Sequence, residues 1–309
     1  MRAVFLNEIG GPEKLLYGDV PEPRAGEGEV LVAVQATAIT PTEFDWAPTW
    51  KAATQGPRPF PIILSHEFAG VIAALGPQVT EFAAGDAVYG LNDWFCNGAQ
   101  AEYCVAPAAD LAPKPLSLDH PDAASVPISA LTAWQGLFDR GGLRAGQRVL
   151  IHGAAGGVGV FAVQLAHRCG AHVIATASVH NLAFVQTLGA DEVIDYRATP
   201  FEDVVHAVDL VFDAVGGETL ARSWAVLKPG GRLITIAASS ESVTDPRVRA
   251  AFFIVEPSRT QLREIARLLD GGELRPFVAA VFPLAEAQQA YASAQRGGLR
   301  GKIVLRVPR

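Results

Sequence analysis

The segment 153–159 reads GAAGGVG and carries the clearest chemical signal in the sequence. It follows an apolar run at 148–152 and precedes a stretch whose apolar residues recur at helical spacing. A strand, a glycine turn and a helix in this order present backbone N–H groups to a dinucleotide pyrophosphate. Gly156 and Gly157 let the phosphates approach, and Gly159 lets the helix pack on the strand. The segment predicts a dinucleotide site; a merely structural tight turn is the alternative.

The residues after the next strand indicate which cofactor the site would take. An NAD site usually has Asp or Glu there, about 20 residues beyond the glycines, whereas this chain has no acid between the strand at 172–177 and Asp191. Ser178, His180 and Asn181 can donate hydrogen bonds to a 2′-phosphate, so we predict NADPH. The stretch lacks Arg and Lys, the usual phosphate partners, and Asn181 could instead cap the following helix.

Two hydrophobic patterns follow each other along the chain, and they indicate which elements must position these residues. Up to about residue 120, short apolar runs alternate with Gly and Pro, which indicates strands and turns. From about residue 125, strand runs alternate with helical stretches, which is typical of a parallel sheet covered by helices on both faces. The segment 258–309 predicts one helix and a last strand that returns to the first domain. We therefore predict an α/β protein, with a β-rich domain at 1–120 completed by 258–309 and a doubly wound domain at 121–257.

The composition limits the partners. The chain has 309 residues, 50% of them hydrophobic and 18% charged, with 32 acidic and 25 basic side chains and a net charge of −7. This balance argues against a nucleic-acid or anionic-membrane partner, and no apolar run approaches the roughly 18 residues of a membrane span. The amino terminus lacks a secretory pattern, and Cys96, Cys104 and Cys169 have no CxxC spacing. We therefore expect a cytoplasmic protein.

Motifs along essentially the whole chain resemble those of the medium-chain dehydrogenase/reductases, specifically their zinc-independent quinone oxidoreductase branch. In chain order they are HEFAGV at 66–71, GDAV at 85–88, AEY at 101–103, LTAW at 131–134, the glycine turn, LGAD at 188–191, IDY at 194–196, DAVGG at 213–217 and GK at 301–302. The resemblance implies a GroES-like catalytic domain built from both ends of the chain and a Rossmann cofactor domain between them. The active site would be the cleft that joins the two domains.

The resemblance also implies which residues line the cofactor. It assigns this role to Thr132, Gly156, Gly157, Val158, Ser178, Tyr196, Val215 and a strand at 252–255 that includes Phe252, Phe253 and Val255. Tyr196 would lie near the adenosine phosphate; otherwise it is a half-buried strand tyrosine.

A catalytic zinc ion is not expected. Zinc-dependent relatives use a cysteine where this chain reads AITPTEF at 38–44, and His66 alone cannot supply the three protein ligands of a catalytic site. Glu43, Glu67 and His66 could converge as an oxygen-rich alternative, but we predict no metal. His66 is then a hydrogen-bonded residue of the cleft or the core.

Reduction of a conjugated acceptor needs hydride placement and hydrogen-bond donors for the developing oxyanion. The candidate donors are Thr40, Thr42 and Tyr103, and Trp46 or Trp50 could stack on a flat substrate. Each of them could equally be a turn hydroxyl or a packed aromatic residue. Many relatives place Asn-Pro where this chain has Thr-Pro.

Together these patterns predict a zinc-independent NADPH-dependent reductase of quinones or α,β-unsaturated carbonyls. The alternatives are an enoyl-thioester reductase, which would need a basic entrance that the sequence does not indicate, and an NADPH-binding redox sensor without turnover. The apolar run AAFFIV at 250–255 predicts a last Rossmann strand with an open edge, and therefore a homodimer.

Overall fold

The computed structural model describes residues 1–54, 56–240 and 243–308, which form fifteen strands and nine α-helices. The strands are β1 (Arg2–Leu6), β2 (Leu16–Asp19), β3 (Glu29–Ala38), β4 (Ile62–Ile63), β5 (Glu67–Leu75), β6 (Ala87–Leu91), β7 (Tyr103–Pro107), β8 (Leu111–Pro113), β9 (Arg148–His152), β10 (His172–Ala177), β11 (Glu192–Asp195), β12 (Val208–Asp213), β13 (Leu227–Thr235), β14 (Val278–Pro283) and β15 (Lys302–Arg306). The helices are α1 (Ala47–Trp50), α2 (His120–Ala124), α3 (Pro127–Trp134), α4 (Gly159–Arg168), α5 (Leu182–Thr187), α6 (Gly217–Ser223), α7 (Pro246–Ala251), α8 (Arg259–Asp270) and α9 (Ala287–Gln295). Across these three stretches, no helix is both long enough and apolar enough to cross a membrane.

A seven-stranded sheet brings the two ends of the chain together. Its order is β14-β15-β3-β5-β6-β8, and β7 also pairs with β3. The last strand, β15, runs antiparallel to β3 and sets Val304 opposite Ala38, so the end of the chain joins the sheet that its beginning forms. A smaller sheet of order β2-β1-β4 packs beside it.

A parallel five-stranded sheet of order β11-β10-β9-β12-β13 forms the second domain. Its central strand β9 is buried on both faces, and Val149, Leu150 and Ile151 are each 0% exposed, as a continuous apolar run requires. The chain leaves β9 for β10 on one side, whereas β12 lies on the other side. This is the switch point at which doubly wound sheets open a ligand crevice.

The predicted strand at 250–255 is wrong. Residues Pro246–Ala251 form α7 instead, and Phe252 makes only an isolated bridge to Thr235. Asp245 caps the helix by accepting a hydrogen bond from the Arg247 N–H, and Pro246 occupies its first turn. This start signal places Ala250 and Ala251 in the helix, and the described residues 252–255 form no strand beyond the bridge at Phe252. Within the part of the chain that the structure describes, β13 is therefore the edge of the sheet.

The domains meet along the start of β15 and along α8. Gly301 donates its N–H to the Ala155 carbonyl at 2.9 Å, and a side chain at Gly301 would place its Cβ 1.8 Å from the Phe277 carbonyl oxygen. The Tyr89 hydroxyl donates to the Leu262 carbonyl of α8 at 2.6 Å. Because α8 packs on both domains, the boundary at residue 258 stays a prediction.

Candidate functional site

A cleft of about 1210 Å³ opens at the carboxyl ends of β9, β10 and β12, between the two domains. Its floor is the glycine turn after β9. One wall comes from the segment that follows β3 and from the loop after β6, and the other comes from the loops of the parallel sheet. The C-terminal segment that leads into β15 closes one side. The cleft therefore lies where the sequence predicts the active site.

The glycine turn can accept phosphates. A Cβ at Gly157 would lie 2.6 Å from Lys302 Cδ and 3.4 Å from Ser129 Oγ, so a side chain there would collide with the lining of the cleft. The Ser129 hydroxyl is buried, lines the cleft and has no hydrogen-bond partner among the described residues. A buried hydroxyl normally has a partner, so this one is available to a bound group. The turn, the hydroxyl and the start of α4 fit a dinucleotide pyrophosphate.

Lys302 brings a cation to this turn from the far end of the sequence. Its Nζ lies 2.6 Å from Glu67 Oε1 and donates to Thr40 Oγ1 at 3.0 Å. The second oxygen of Glu67 accepts from the Ile128 N–H at 2.9 Å. Complete burial raises the pKa of the Glu67 carboxyl, and Lys302 opposes that shift. The sequence signalled Lys302 only as part of the Gly-Lys motif, without assigning it to the site.

Arg300 places a second cation beside the end of β10, just outside the cleft lining. Its Nε donates to Asn181 Oδ1 and its Nη2 to the His180 carbonyl, both at 2.9 Å. Its Cζ lies 4.9 Å from the centre of the Phe184 ring. The local stretch 178–181 contains no Arg or Lys, so sequence reasoning missed this cation, which comes from the segment just before β15.

Eleven of the twelve predicted cofactor residues line the cleft. They are Thr132, Gly156, Gly157, Val158, Ser178, Asn181, Tyr196, Val215, Phe252, Phe253 and Val255. His180 does not line it and contributes its carbonyl to Arg300 instead. Tyr196 is 52% exposed at the rim of the cleft.

Asp213, the last residue of β12, holds the following loop and its residue Val215 in place. This fully buried carboxylate accepts from the N–H groups of Val215 at 3.0 Å and Gly216 at 3.1 Å, and from the Thr235 hydroxyl at 2.8 Å. A carboxylate that receives several such bonds rigidifies the loop. The Asp-Ala-Val-Gly-Gly motif is therefore a positioning element for the cleft wall.

His152, the last residue of β9, is a buried and neutral part of the floor. Its Nδ1 lies 3.0 Å from Thr176 Oγ1, and its Nε2 lies 3.0 Å from Ser223 Oγ. Ser223 donates its own proton to the Thr219 carbonyl, so its oxygen accepts from Nε2 and the imidazole Nδ1 accepts from Thr176. Burial lowers the pKa of His152 to about 3.

His66 and Glu43 form a second buried pair behind the cleft. His66 Nδ1 lies 2.9 Å from Glu43 Oε1, and Nε2 lies 3.3 Å from the Cys96 carbonyl. Glu67 points to Lys302, so the oxygen-rich set of Glu43, Glu67 and His66 is not assembled. Among the residues described, no three His, Cys, Asp or Glu side chains are arranged to hold a metal ion.

The part of the cleft where a substrate is expected, here called the substrate end, is aromatic. Trp46 lines it and meets Trp94 edge to face, with ring centres 5.6 Å apart, and Phe95 lies beside them. Of the predicted donors, Thr40 and Thr42 line the cleft.

Two predicted residues lie elsewhere. Trp50 donates its indole N–H to the Phe44 carbonyl at 2.7 Å, and Tyr103 stands in β7 opposite Ala33. Neither belongs to the cleft lining, so we assign them no role there. Sequence reasoning missed Trp94 and Phe95, which stand in a loop that carries no motif.

Comparisons with known proteins agree with this architecture. The alcohol dehydrogenase GroES-like domain matches residues 26–116, and the zinc-binding dehydrogenase family matches residues 188–305. A mitochondrial NAD(P)H oxidoreductase of Danio rerio is 33% identical over 90% of this chain and 84% of its own length. A 2-methylene-furan-3-one reductase of Solanum lycopersicum is 32% identical over 99% of this chain and 79% of its own length.

Solved structures give the same result. The quinone oxidoreductase of Coxiella burnetii superimposes with a TM-score of 0.91 at 30% identity, covering 100% of this chain and 99% of its own. The predicted fold, a GroES-like domain joined to a parallel Rossmann sheet, is thereby confirmed.

Proposed function

This chain belongs to the medium-chain dehydrogenase/reductase superfamily, in its quinone oxidoreductase-like branch, and we propose that it reduces quinones or α,β-unsaturated carbonyls with NADPH and without zinc. Membership makes it an oxidoreductase with a nicotinamide cofactor. The identity of the acceptor, the preference for NADPH and the independence from zinc are the proposal. The observation that carries it is the position of Thr40, between the glycine turn and the Trp46–Trp94 wall, in contact with Lys302.

Thr40 is the hydrogen-bond donor of the proposed reaction. NADPH, when bound, supplies a hydride, and a conjugated acceptor takes up this hydride and one proton from solvent. Because the Thr40 oxygen accepts from Lys302, the hydroxyl proton is free to point at a carbonyl oxygen in the cleft. The neighbouring ammonium group of Lys302 favours negative charge on that oxygen. Trp46 and Trp94 provide apolar surface for a flat acceptor.

Zinc independence is supported by the bonds that the candidate metal ligands His66 and Glu67 already make. Both ring nitrogens of His66 face protein oxygens, and Glu67 is held by Lys302 and the Ile128 N–H. Each would have to leave a buried partner to bind a metal, which costs free energy. Elemental analysis of the purified protein should show no stoichiometric zinc, and chelators should leave its activity unchanged; zinc at one per chain refutes this part.

The preference for NADPH is supported by Arg300. The Arg300 guanidinium is exposed and lies just outside the cleft lining, bonded to Asn181, which lines the cleft together with Ser178. Arginine binds phosphate with charge-assisted hydrogen bonds, and no acid stands at the end of β10 to repel a 2′-phosphate.

The direct test is NADPH oxidation by the purified protein with 9,10-phenanthrenequinone and with an alkenal as acceptors. Thr40→Val removes the hydroxyl while keeping the side-chain shape, and we expect kcat to fall about 10²-fold with NADPH affinity little changed. Unchanged kcat in this variant contradicts the role of Thr40. Turnover of enoyl thioesters alone, or tight NADPH binding with no acceptor reduced, would replace the proposal by one of its two alternatives. An enoyl-thioester reductase would need a basic entrance, whereas the acidic side chain of Asp45 lines the substrate end of the cleft.

We also propose that the protein is a cytoplasmic homodimer. The dimer interface would be the free edge of β13 together with the segment after α7, where Ile254 is 50% exposed. A cytoplasmic location accords with Cys96, Cys104 and Cys169 being unpaired. Light scattering should give twice the 32.6 kDa chain mass, and a monomer mass at micromolar concentration refutes the dimer.

A further inference from the structure

Arg58 is a buried cation that lies behind the aromatic wall of the cleft. It is 6% exposed and does not belong to the cleft lining. Its Nη1 donates to the Pro48 carbonyl at 3.1 Å, and its Nη2 donates to the Cys96 carbonyl at 2.8 Å and to Asn97 Oδ1 at 3.2 Å. The three acceptors come from two segments that are far apart in the sequence.

All three acceptors are neutral oxygens. No ion pair joins Arg58 to a carboxylate within the described part of the chain, and burial lowers the pKa of its guanidinium while Glu43 and Asp93 oppose that shift from a distance. Burying a cation without a paired anion costs free energy, and only hydrogen bonds to neutral oxygens offset that cost here. The geometry of the guanidinium fork, which binds both segments at once, is what Arg58 adds.

The two segments carry the substrate end of the cleft. Trp46 and Pro48 stand on the first, and Trp94 and Phe95 stand on the second. No strand pairing links these two segments over the residues described. They touch through the edge-to-face contact of Trp46 with Trp94, and they are bridged from behind by Arg58 and by the His66 pair.

We propose that Arg58 is a positioning residue that sets the separation of the two segments, and thereby selects flat aromatic acceptors over small open-chain ones. Its guanidinium fixes the Pro48 and Cys96 carbonyls relative to each other, and the indole rings of Trp46 and Trp94 follow. The choice of acceptor rests on the proposed function. The position of the two indoles is independent of the proposed function, so it can be tested without turnover.

The test compares Arg58→Met and Arg58→Lys with the natural chain. Arg58→Met removes the donor of the Pro48 carbonyl and the link from it to Cys96 and Asn97, and we expect the KM for 9,10-phenanthrenequinone to rise about tenfold. The kcat, the KM for an alkenal and the affinity for NADPH should change less than about twofold. Arg58→Lys keeps the charge but not the fork, and should give an intermediate KM. Arg144→Met, which removes an exposed arginine at the opposite end of the parallel sheet, is the matched control.

Near-ultraviolet circular dichroism supplies a second readout that a merely stabilising role would not move. The Trp46–Trp94 contact contributes a signal that is identified by its loss in Trp46→Phe, and Arg58→Met should lose the same signal while remaining folded. If Arg58→Met does not fold, Arg58→Lys decides alone: an unchanged spectrum and an unchanged quinone KM overturn the proposal. If the natural chain reduces no acceptor, the proposed function fails, and the spectra still decide the role of Arg58.

Discussion

His152 should make the stability of this protein sensitive to mild acid. The imidazole is buried at the end of β9, and its pKa is lowered from 6.5 to about 3 because burial penalises the charged form. The native state therefore keeps His152 neutral where the unfolded chain binds a proton. A histidine whose folded pKa is depressed contributes full stability above pH 6.5 and loses it as the pH falls below that value.

The magnitude follows from the size of this shift. Each pH unit below 6.5 costs the native state about 1.4 kcal/mol until the folded pKa is approached. At about pH 5 the loss is therefore about 2 kcal/mol, a large part of the 5–15 kcal/mol that is typical of folded domains. The loss should be visible as a lower urea midpoint.

The assay is urea unfolding of the natural chain and of His152→Gln at about pH 7.5 and about pH 5. Glutamine can donate to Ser223 and accept from Thr176, as the imidazole does, but it does not titrate. We expect the loss of stability between the two pH values to be smaller in the variant by about 2 kcal/mol. Other titrating groups, Glu67 among them, remain in both proteins and cancel in the difference. His206→Gln, which removes an exposed imidazole, is the control. Equal losses in His152→Gln and the natural chain would refute the reasoning.

Three further substitutions test the cofactor site and the wall around it. Arg300→Gln should weaken NADPH binding by about 10–100-fold and leave NADH binding nearly unchanged, because a charge-assisted contact is worth about 1.5–3 kcal/mol; equal effects on both cofactors in a fluorescence titration would exclude a phosphate contact. Gly157→Ala should weaken both cofactors together, by about tenfold, since its Cβ would lie 2.6 Å from Lys302 Cδ and displace the ammonium group; unaltered dissociation constants would show that the turn tolerates a side chain. Tyr103→Phe should leave kcat and KM within about twofold, because Tyr103 lies outside the cleft; a larger loss would return it to the list of catalytic candidates.

Most of the fold and the cofactor end of the cleft could be predicted from the sequence, because both depend on local patterns. The strand before the glycine turn, the turn itself and the following helix are contiguous, so periodicity and glycine spacing are enough to identify them. The segment at 250–255 shows how such reasoning fails. Its apolar run is typical of a strand, but Asp245 and Pro246 start a helix that takes in the first two residues of the run, Ala250 and Ala251.

The substrate end was harder to predict because its residues are assembled by tertiary structure. Trp46 and Trp50 stand four residues apart, and the sequence favours neither of them as the residue that stacks on a substrate. Only the fold turns one indole into the cleft and the other to the Phe44 carbonyl. Trp94 stands in a loop without a motif. Which aromatic residue faces a cleft depends on loop conformation, and composition and spacing do not encode that.

Two cations near the cleft that the sequence did not indicate, Arg300 and Lys302, share one physical origin. Arg300 and Lys302 flank Gly301, whose N–H is bonded to the carbonyl of Ala155 in the glycine turn. Backbone pairing at Gly301 thus holds one residue on each side against the Rossmann domain, with Arg300 at the Asn181 end and Lys302 beside Gly157. The same residues begin the strand that completes the other sheet. A parallel sheet with its glycine turn would therefore present backbone donors but neither of these two cations. Both reach their positions only because the last strand of the chain folds back onto the first domain.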